Sequence, residues 1–276
     1  MIMKKIFILF LASTLITACL PMDSVTDLSR LNAVLLNTNT VRIEPGESKT
    51  LSIVITPKRY EEKVAIRWES NDTTVVIVNQ YGEITAVSGG TTTVTVSATH
   101  EKITVKANCE VEVYMREEWA LLCGKEEKTW VWDDTAPEGP WGNGGYKGNT
   151  MPGWWVVKLE DIDAQAPGEG AGASMTFSAV GARLTKKYSD GTSAAGTFGF
   201  SSMNRIIYDD SGAIWSKGKI KTKNVSMLCG QSPNEAGAPV YSYEILKLTE
   251  DKMVLSYPEP GVSSWGTAWF WMFRKK

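Results

Sequence analysis

The sequence predicts an all-β protein in two parts, a β-sandwich followed by an antiparallel β-barrel, with a jelly roll as the alternative for the second part. Two observations carry this. Short segments of alternating apolar and polar residues recur between turn dipeptides such as Pro45-Gly46, Asn71-Asp72, Tyr81-Gly82 and Gly89-Gly90. The tryptophans are unevenly spread: Trp68 stands alone before residue 115, and the other ten fall between Trp119 and Trp271. At 276 residues and 43% hydrophobic content the chain has room for one or two domains with real cores. Its net charge of -2 argues against a nucleic-acid partner, because phosphate binding needs a basic surface.

The amino terminus reads MIMKKIFILFLASTLITAC. Lys4 and Lys5 form a charged region, Ile6 to Ile16 an apolar one, and Thr17 and Ala18 supply the small residues a signal peptidase needs. The apolar run is too short to cross a bilayer. With Cys19 directly behind it, this segment resembles the lipobox of bacterial lipoproteins. The resemblance implies removal of residues 1–18, acylation of Cys19 and an anchor stronger than the two signals that stable attachment needs. Leu20, in place of Asp, is similar to lipoproteins sorted to the outer membrane. Residues 19–29 read as a polar tether, and Leu28 to Leu36 as a short helix or the approach to a first strand.

Residues 30–114 read as strands throughout. In VRIEPGESKTLSIVITP a Pro45-Gly46 turn precedes the alternation of Leu51, Ile53 and Ile55 with their neighbours. AIRWESNDTTVVIVNQYGEITAV and GGTTTVTVSATHEKITVKANCEVEV follow, with the spacing of a sandwich. The stretches Ile66-Arg67-Trp68-Glu69-Ser70-Asn71, Val75 to Val78, Gly82 to Val87 and Gly90 to Val96 resemble the bacterial Ig-like domain of group 2. That resemblance implies a core role for Trp68 and a spacer or adhesion role for the domain. The sole histidine, His100, falls in an expected hairpin turn and reads as solvated surface. Its solitude speaks against a Ser-His-Asp triad or a histidine zinc site.

Residues 117–276 form the second part. MREEWALLCGKEEK reads as a short helix capping the sheet that follows. Strands are expected near Thr129–Asp133, Trp154–Leu159, Ser174–Val180, Arg183–Ser189, Gly196–Ser201, Ile214–Thr222, Tyr241–Leu248, Met253–Tyr257 and Thr267–Arg274, and their sequential hairpins favour an up-and-down barrel. The last of them, TAWFWMF, is apolar on both faces. It is therefore buried on both sides or shows one face to a ligand. KTWVWD, WGNGGY, MTFS, DGTSAAGTFGF, YEILKLTEDKMVLS and WFWMFRKK together resemble lipocalin-like lipoprotein domains of gut Gram-negative anaerobes. That resemblance implies carbohydrate binding at a cell surface.

The stretch from Lys128 to Trp155 concentrates five tryptophans around a Gly-, Pro- and Asn-rich loop. Sugars present C–H faces that stack on aromatic rings and hydroxyls that amide side chains bond. The candidate ligand-binding residues are therefore Trp141, Asn143, Tyr146, Trp154, Trp155, Trp215 and Trp265, with core packing as the competing reading of each tryptophan. Asp133-Asp134, Glu160-Asp161 with Asp163, and Asp209-Asp210 are carboxylate pairs of the kind a glycosidase or a calcium site uses, but adjacent Asp residues in turns usually bond the turn backbone. No catalytic residue, metal or cofactor is expected. Cys109 reads as a core residue, and Cys123 and Cys229 are a possible pair. The sequence thus points to an outer-membrane lipoprotein in which a sandwich spacer carries a non-catalytic glycan-binding barrel, with a place in a surface glycan-uptake complex. The alternatives are a glycosidase-like enzyme, a calycin-type carrier of an apolar ligand, and a purely structural module.

Overall fold

The computed structural model describes residues 29–276; the leader and Cys19 lie outside the described residues. The first nine strands are Ala33–Leu36 (β1), Thr40–Ile43 (β2), Ser48–Thr50 (β3), Ile53–Thr56 (β4), Ala65–Ser70 (β5), Val76–Val78 (β6), Glu83–Ala86 (β7), Gly90–His100 (β8) and Ile103–Val113 (β9). A four-stranded sheet of order β2-β9-β8-β5 faces a three-stranded sheet of order β3-β7-β6, and β1 pairs with β4. The approach to the sandwich is thus a strand, not a helix. The alternation seen in the sequence packs Val41, Ile43, Leu51, Val76, Ile84, Val94, Cys109 and Val111 between the sheets. Trp68 packs against this core, and its indole lies where a Cβ on Gly82 would sit. His100 departs from the expectation of free solvation: it is half-buried, with its ring 4.9 Å from that of Tyr60.

The second part opens with a helix, Glu117–Cys123 (α1). The strands after it are Glu127–Trp132 (β10), Trp141–Gly145 (β11), Trp155–Val157 (β12), Ser174–Ser178 (β13), Arg183–Lys187 (β14), Ser193–Ser201 (β15), Ile207–Tyr208 (β16), Ile214–Ser216 (β17), Lys219–Lys223 (β18), Gln231–Ser232 (β19), Ala238–Pro239 (β20), Ser242–Leu248 (β21), Lys252–Pro258 (β22) and Thr267–Lys275 (β23). The order β10-β13-β14-β15-β18-β21-β22-β23 closes through the pairing of β23 with β10. This is a closed eight-stranded antiparallel barrel wound up and down, so the jelly-roll alternative falls away. β11 continues β10 along the same edge of β23, and β12 hangs on β11.

Three local expectations are corrected. Trp141–Gly145 is a strand, not a loop: its glycines let β12 come so close that a Cβ on Gly142 would stand 2.1 Å from the Trp155 carbonyl oxygen. The strand expected over Ile214–Thr222 breaks at Gly218, whose φ of +142° takes the chain out of the extended region. Cys123 and Cys229 are both free thiols, one at the end of α1 and the other in the segment after β18, so no bridge joins them.

Inward-facing side chains fill the barrel: Trp130, Trp132, Met175, Phe177, Leu184, Phe198, Ile220, Tyr243, Ile245, Met253, Leu255, Trp269, Trp271 and Phe273. α1 caps the end where β10 begins: Trp119 packs on Phe198 and Phe200, and Trp130 Nε1 donates to Leu122 O at 2.8 Å. The segment 225–240 plugs the interior with Val225, Met227, Leu228 and Val240, and Trp271 Nε1 donates to Cys229 O at 3.0 Å. A buried pair, Lys186 Nζ and Glu169 Oε1 at 2.8 Å, is completed by Glu169 accepting the Cys229 N–H. The opposite face of β23 is also covered. Ala268 and Phe270 pack with Ile207 and Trp215 of the β16–β17 hairpin, which explains why TAWFWMF is apolar on both sides.

The sandwich meets the barrel at the α1 end. Glu44 is buried, and its Oε1 accepts from the Tyr114 hydroxyl (2.8 Å) and from Arg116 Nε (2.7 Å) and Nη2. Gly181 N–H donates to Val87 O at 2.7 Å, and Gly46 faces the Ala182 methyl.

Candidate functional site

The exposed aromatic surface is built where β11 ends and β23 begins, the end of the barrel away from the sandwich contacts. The local chain is held by reciprocal backbone bonds: Tyr146 N–H donates to Gly266 O (2.7 Å) and Trp265 N–H to Tyr146 O (2.9 Å). Asn149 Oδ1 accepts the Gly145 N–H at 2.8 Å and closes the turn after β11. Onto this frame two indoles are laid. A Cβ on Gly145 would stand 2.6 Å from Trp265 Cε3 and 3.2 Å from Trp154 Cζ2. A Cβ on Gly148 would stand 2.5 Å from Trp265 Cζ3 and Cη2. The glycines therefore seat the Trp265 ring against the backbone and bring the Trp154 ring beside it.

Both residues are more than half exposed, Trp154 at 53% and Trp265 at 57%. Trp155 is 38% exposed and lies edge-on to Trp141 (5.4 Å) and Trp269 (5.8 Å). Trp265 also holds a backbone φ of +64°, a left-handed conformation that is a genuine outlier for a bulky residue.

Of the four remaining candidates, two are buried and two are half-buried. Trp141 is fully buried in the barrel core, stacked 5.6 Å from Trp269, because the W-G-N-G-G strand turns it inward opposite Trp271. Trp215 is buried under the hairpin and donates Nε1 to Asn149 O at 2.7 Å. Neither offers a face to a ligand. Asn143 spends its side-chain oxygen on the Trp155 N–H at 3.0 Å. Tyr146 is half-buried, edge-on to Trp215 at 5.0 Å, and its burial raises the phenol's pKa. Tyr146 also lines a cleft of about 280 Å³ with Arg205, Glu244, Tyr257, Glu259 and Val262.

Several of the paired carboxylates are already engaged. Asp133 accepts from Lys252 Nζ at 2.6 Å and from the Thr135 hydroxyl at 2.6 Å. Burial works to raise its carboxyl, but these bonds outweigh it and hold the group below the ordinary range. Asp134 pairs with Arg274 at 2.6 Å, and Asp209 accepts Ser211 and Ala213 within its own turn. Asp163 accepts the Gly170 N–H at 2.9 Å. Among the described residues no cluster of His, Cys, Asp and Glu is arranged to hold a metal.

Comparisons with known proteins bear on the sandwich. The bacterial Ig-like domain (group 2) matches residues 32–111. An uncharacterized protein of Clostridium acetobutylicum is 33% identical over 81 residues, 29% of this chain and only 8% of that protein. Among solved structures, human protocadherin-24 EC1-2 aligns over 87% of this chain and 94% of its own at 13% identity and a TM-score of 0.24. A chimeric titin Z1Z2 tandem aligns over 58% and 92% at 12% identity and a TM-score of 0.19. Superpositions this loose carry no argument. The order of strands and the match over 32–111 make this segment a bacterial Ig-like domain of group 2, carried ahead of a closed eight-stranded barrel.

Proposed function

We propose that the chain is a non-catalytic, surface-anchored glycan-binding protein. Its barrel stacks sugar rings on Trp154 and Trp265, its Ig-like domain acts as spacer, and lipid on Cys19 holds it to the outer membrane. An Ig-like domain joined to a barrel fits a surface or adhesion-type module. One observation carries the finer reading. Trp265 keeps a left-handed backbone that glycine or asparagine would adopt more easily, while the residue stays more than half exposed with its ring over Gly145 and Gly148. Backbone strain retained under an exposed ring points to a use for that ring. A held aromatic face loses little conformational freedom on binding, which favours affinity. The filled barrel interior disfavours a carrier of apolar cargo, because such cargo would have to displace the core tryptophans. A place in a surface glycan-uptake assembly follows from the same reading.

The test is a binding screen of the purified full chain against immobilised polysaccharides, repeated with Trp154→Ala and Trp265→Ala. Binding weakened by both changes supports the reading. Absence of binding across the panel from folded protein contradicts it.

A further inference from the structure

The chemistry around the platform narrows the class of glycan, a step that rests on the glycan reading above. Three features bear on it. First, the two rings meet over one residue, Gly145, so a bound chain crosses both, and Trp265 has its inner face on backbone and its outer face open. Second, the side-chain oxygens of the two asparagines that adjoin the platform are engaged with the backbone, and a nearby serine bonds a carboxylate. Asn149 Oδ1 holds the Gly145 N–H, Asn143 Oδ1 holds the Trp155 N–H, and the Ser264 hydroxyl donates to Asp210 Oδ1 at 2.9 Å. The stacking faces of the two rings therefore make the larger part of the contact surface, and hydroxyl orientation is read weakly. Third, the surroundings carry no net positive charge. Lys147 extends over the Tyr146 ring (5.4 Å), Arg205 and Lys219 share the adjoining cleft with Glu244 and Glu259, and Asp210 reaches the platform loop through the Ser264 hydroxyl. A uronate or sulfate group would meet at least as many carboxylates as cations here.

We infer that the platform takes internal stretches of a long, uncharged polysaccharide, read by stacking on successive rings, and not chain ends, short oligosaccharides or acidic sugars. Each ring contributes weakly on its own, so affinity grows with the number of sugar units that contact the platform.

The experiment uses the full chain and three sets of probes: neutral polysaccharides (a β-glucan, a mannan and soluble starch), their di- and trisaccharides, and the acidic polymers alginate and pectate. Each is measured at low and high salt. The expected result is binding of at least one neutral polymer, about tenfold or more tighter than its trisaccharide and unchanged by salt, since uncharged contacts are not screened. Trp265→Ala lowers polymer affinity by about tenfold and reduces the advantage of the polymer over the trisaccharide. Equal affinity for trisaccharide and polymer, or binding confined to alginate and pectate and lost in salt, overturns this inference while leaving a glycan-binding barrel standing. No binding to any probe by folded protein overturns both.

Discussion

The indole Nε1 of Trp119 donates a 3.0 Å hydrogen bond to Oε2 of Glu44, from the cap of the barrel to the sandwich. Both groups are buried, and the other carboxylate oxygen of Glu44 holds Tyr114 and Arg116. Glu44→Ala therefore leaves a buried indole N–H and a part-buried guanidinium without their acceptor. The expected cost is about 2–4 kcal/mol in urea unfolding of the full chain, together with faster proteolysis near residues 114–117. A cost below about 0.5 kcal/mol would show that the junction is not held through this carboxylate.

Trp141 and Trp265 both adjoin glycine-rich backbone but have opposite surroundings, one buried and one exposed. Trp141→Ala opens a large cavity in a close-packed core and is expected to cost about 3–5 kcal/mol. Trp265→Gly removes a strained bulky residue at φ +64° and is expected to leave stability equal or raised by up to about 1 kcal/mol, while weakening ligand binding by about tenfold. Thermal and urea melts of the two variants check both signs.

Gly148 has nothing unusual in its own backbone, so alanine fits there except for the Trp265 ring 2.5 Å from the new methyl. Gly148→Ala is expected to lift that ring, weakening binding by about tenfold with a stability change under about 1 kcal/mol. Gly142→Ala drives a methyl into the Trp155 carbonyl and is expected to detach β12 at about 2–3 kcal/mol. Tryptophan fluorescence with a soluble quencher separates the two effects.

The Asp133 carboxyl is held below its ordinary range in the folded chain, chiefly by Lys252 against the opposing effect of burial. A depressed folded pKa gives stability that is fully present above the unfolded value of about 4. That stability is lost as pH falls through the folded value. Asp133→Asn should therefore reduce stability at pH 7 and flatten its decline in the acid range. Unfolding midpoints measured from neutral pH down to about pH 3 read this directly, and parallel curves for variant and parent would refute it.

The sandwich was legible because each device in it is local: Pro45-Gly46 and Tyr81-Gly82 make turns, and alternation sets which face is buried. The closed up-and-down barrel was legible for the same reason, from hairpin after hairpin. What the sequence hid depends on distant partners. Trp141 is buried because β11 registers against Trp271 of the last strand, 130 positions away, and its W-G-N-G-G pattern has the composition of a loop. Trp215 is buried by a hairpin folding over Phe270, which no periodicity announces. The plug formed by Met227, Leu228 and Val240 carries no alternation either. The exposure of Trp154, Trp155 and Trp265 was legible because aromatic residues flanked by Gly, Pro and Ser have few strands to hide in. The strain on Trp265 was not readable, since it follows from how two loops bond across Tyr146 and Gly266.

The most direct measurement is the affinity of the full chain for neutral polysaccharides, compared with Trp265→Ala and with Trp141→Phe as a folded core control. The account predicts binding that Trp265→Ala weakens by about tenfold and that Trp141→Phe leaves unchanged. Binding that is indifferent to Trp265, or no binding by the folded parent chain, would contradict it.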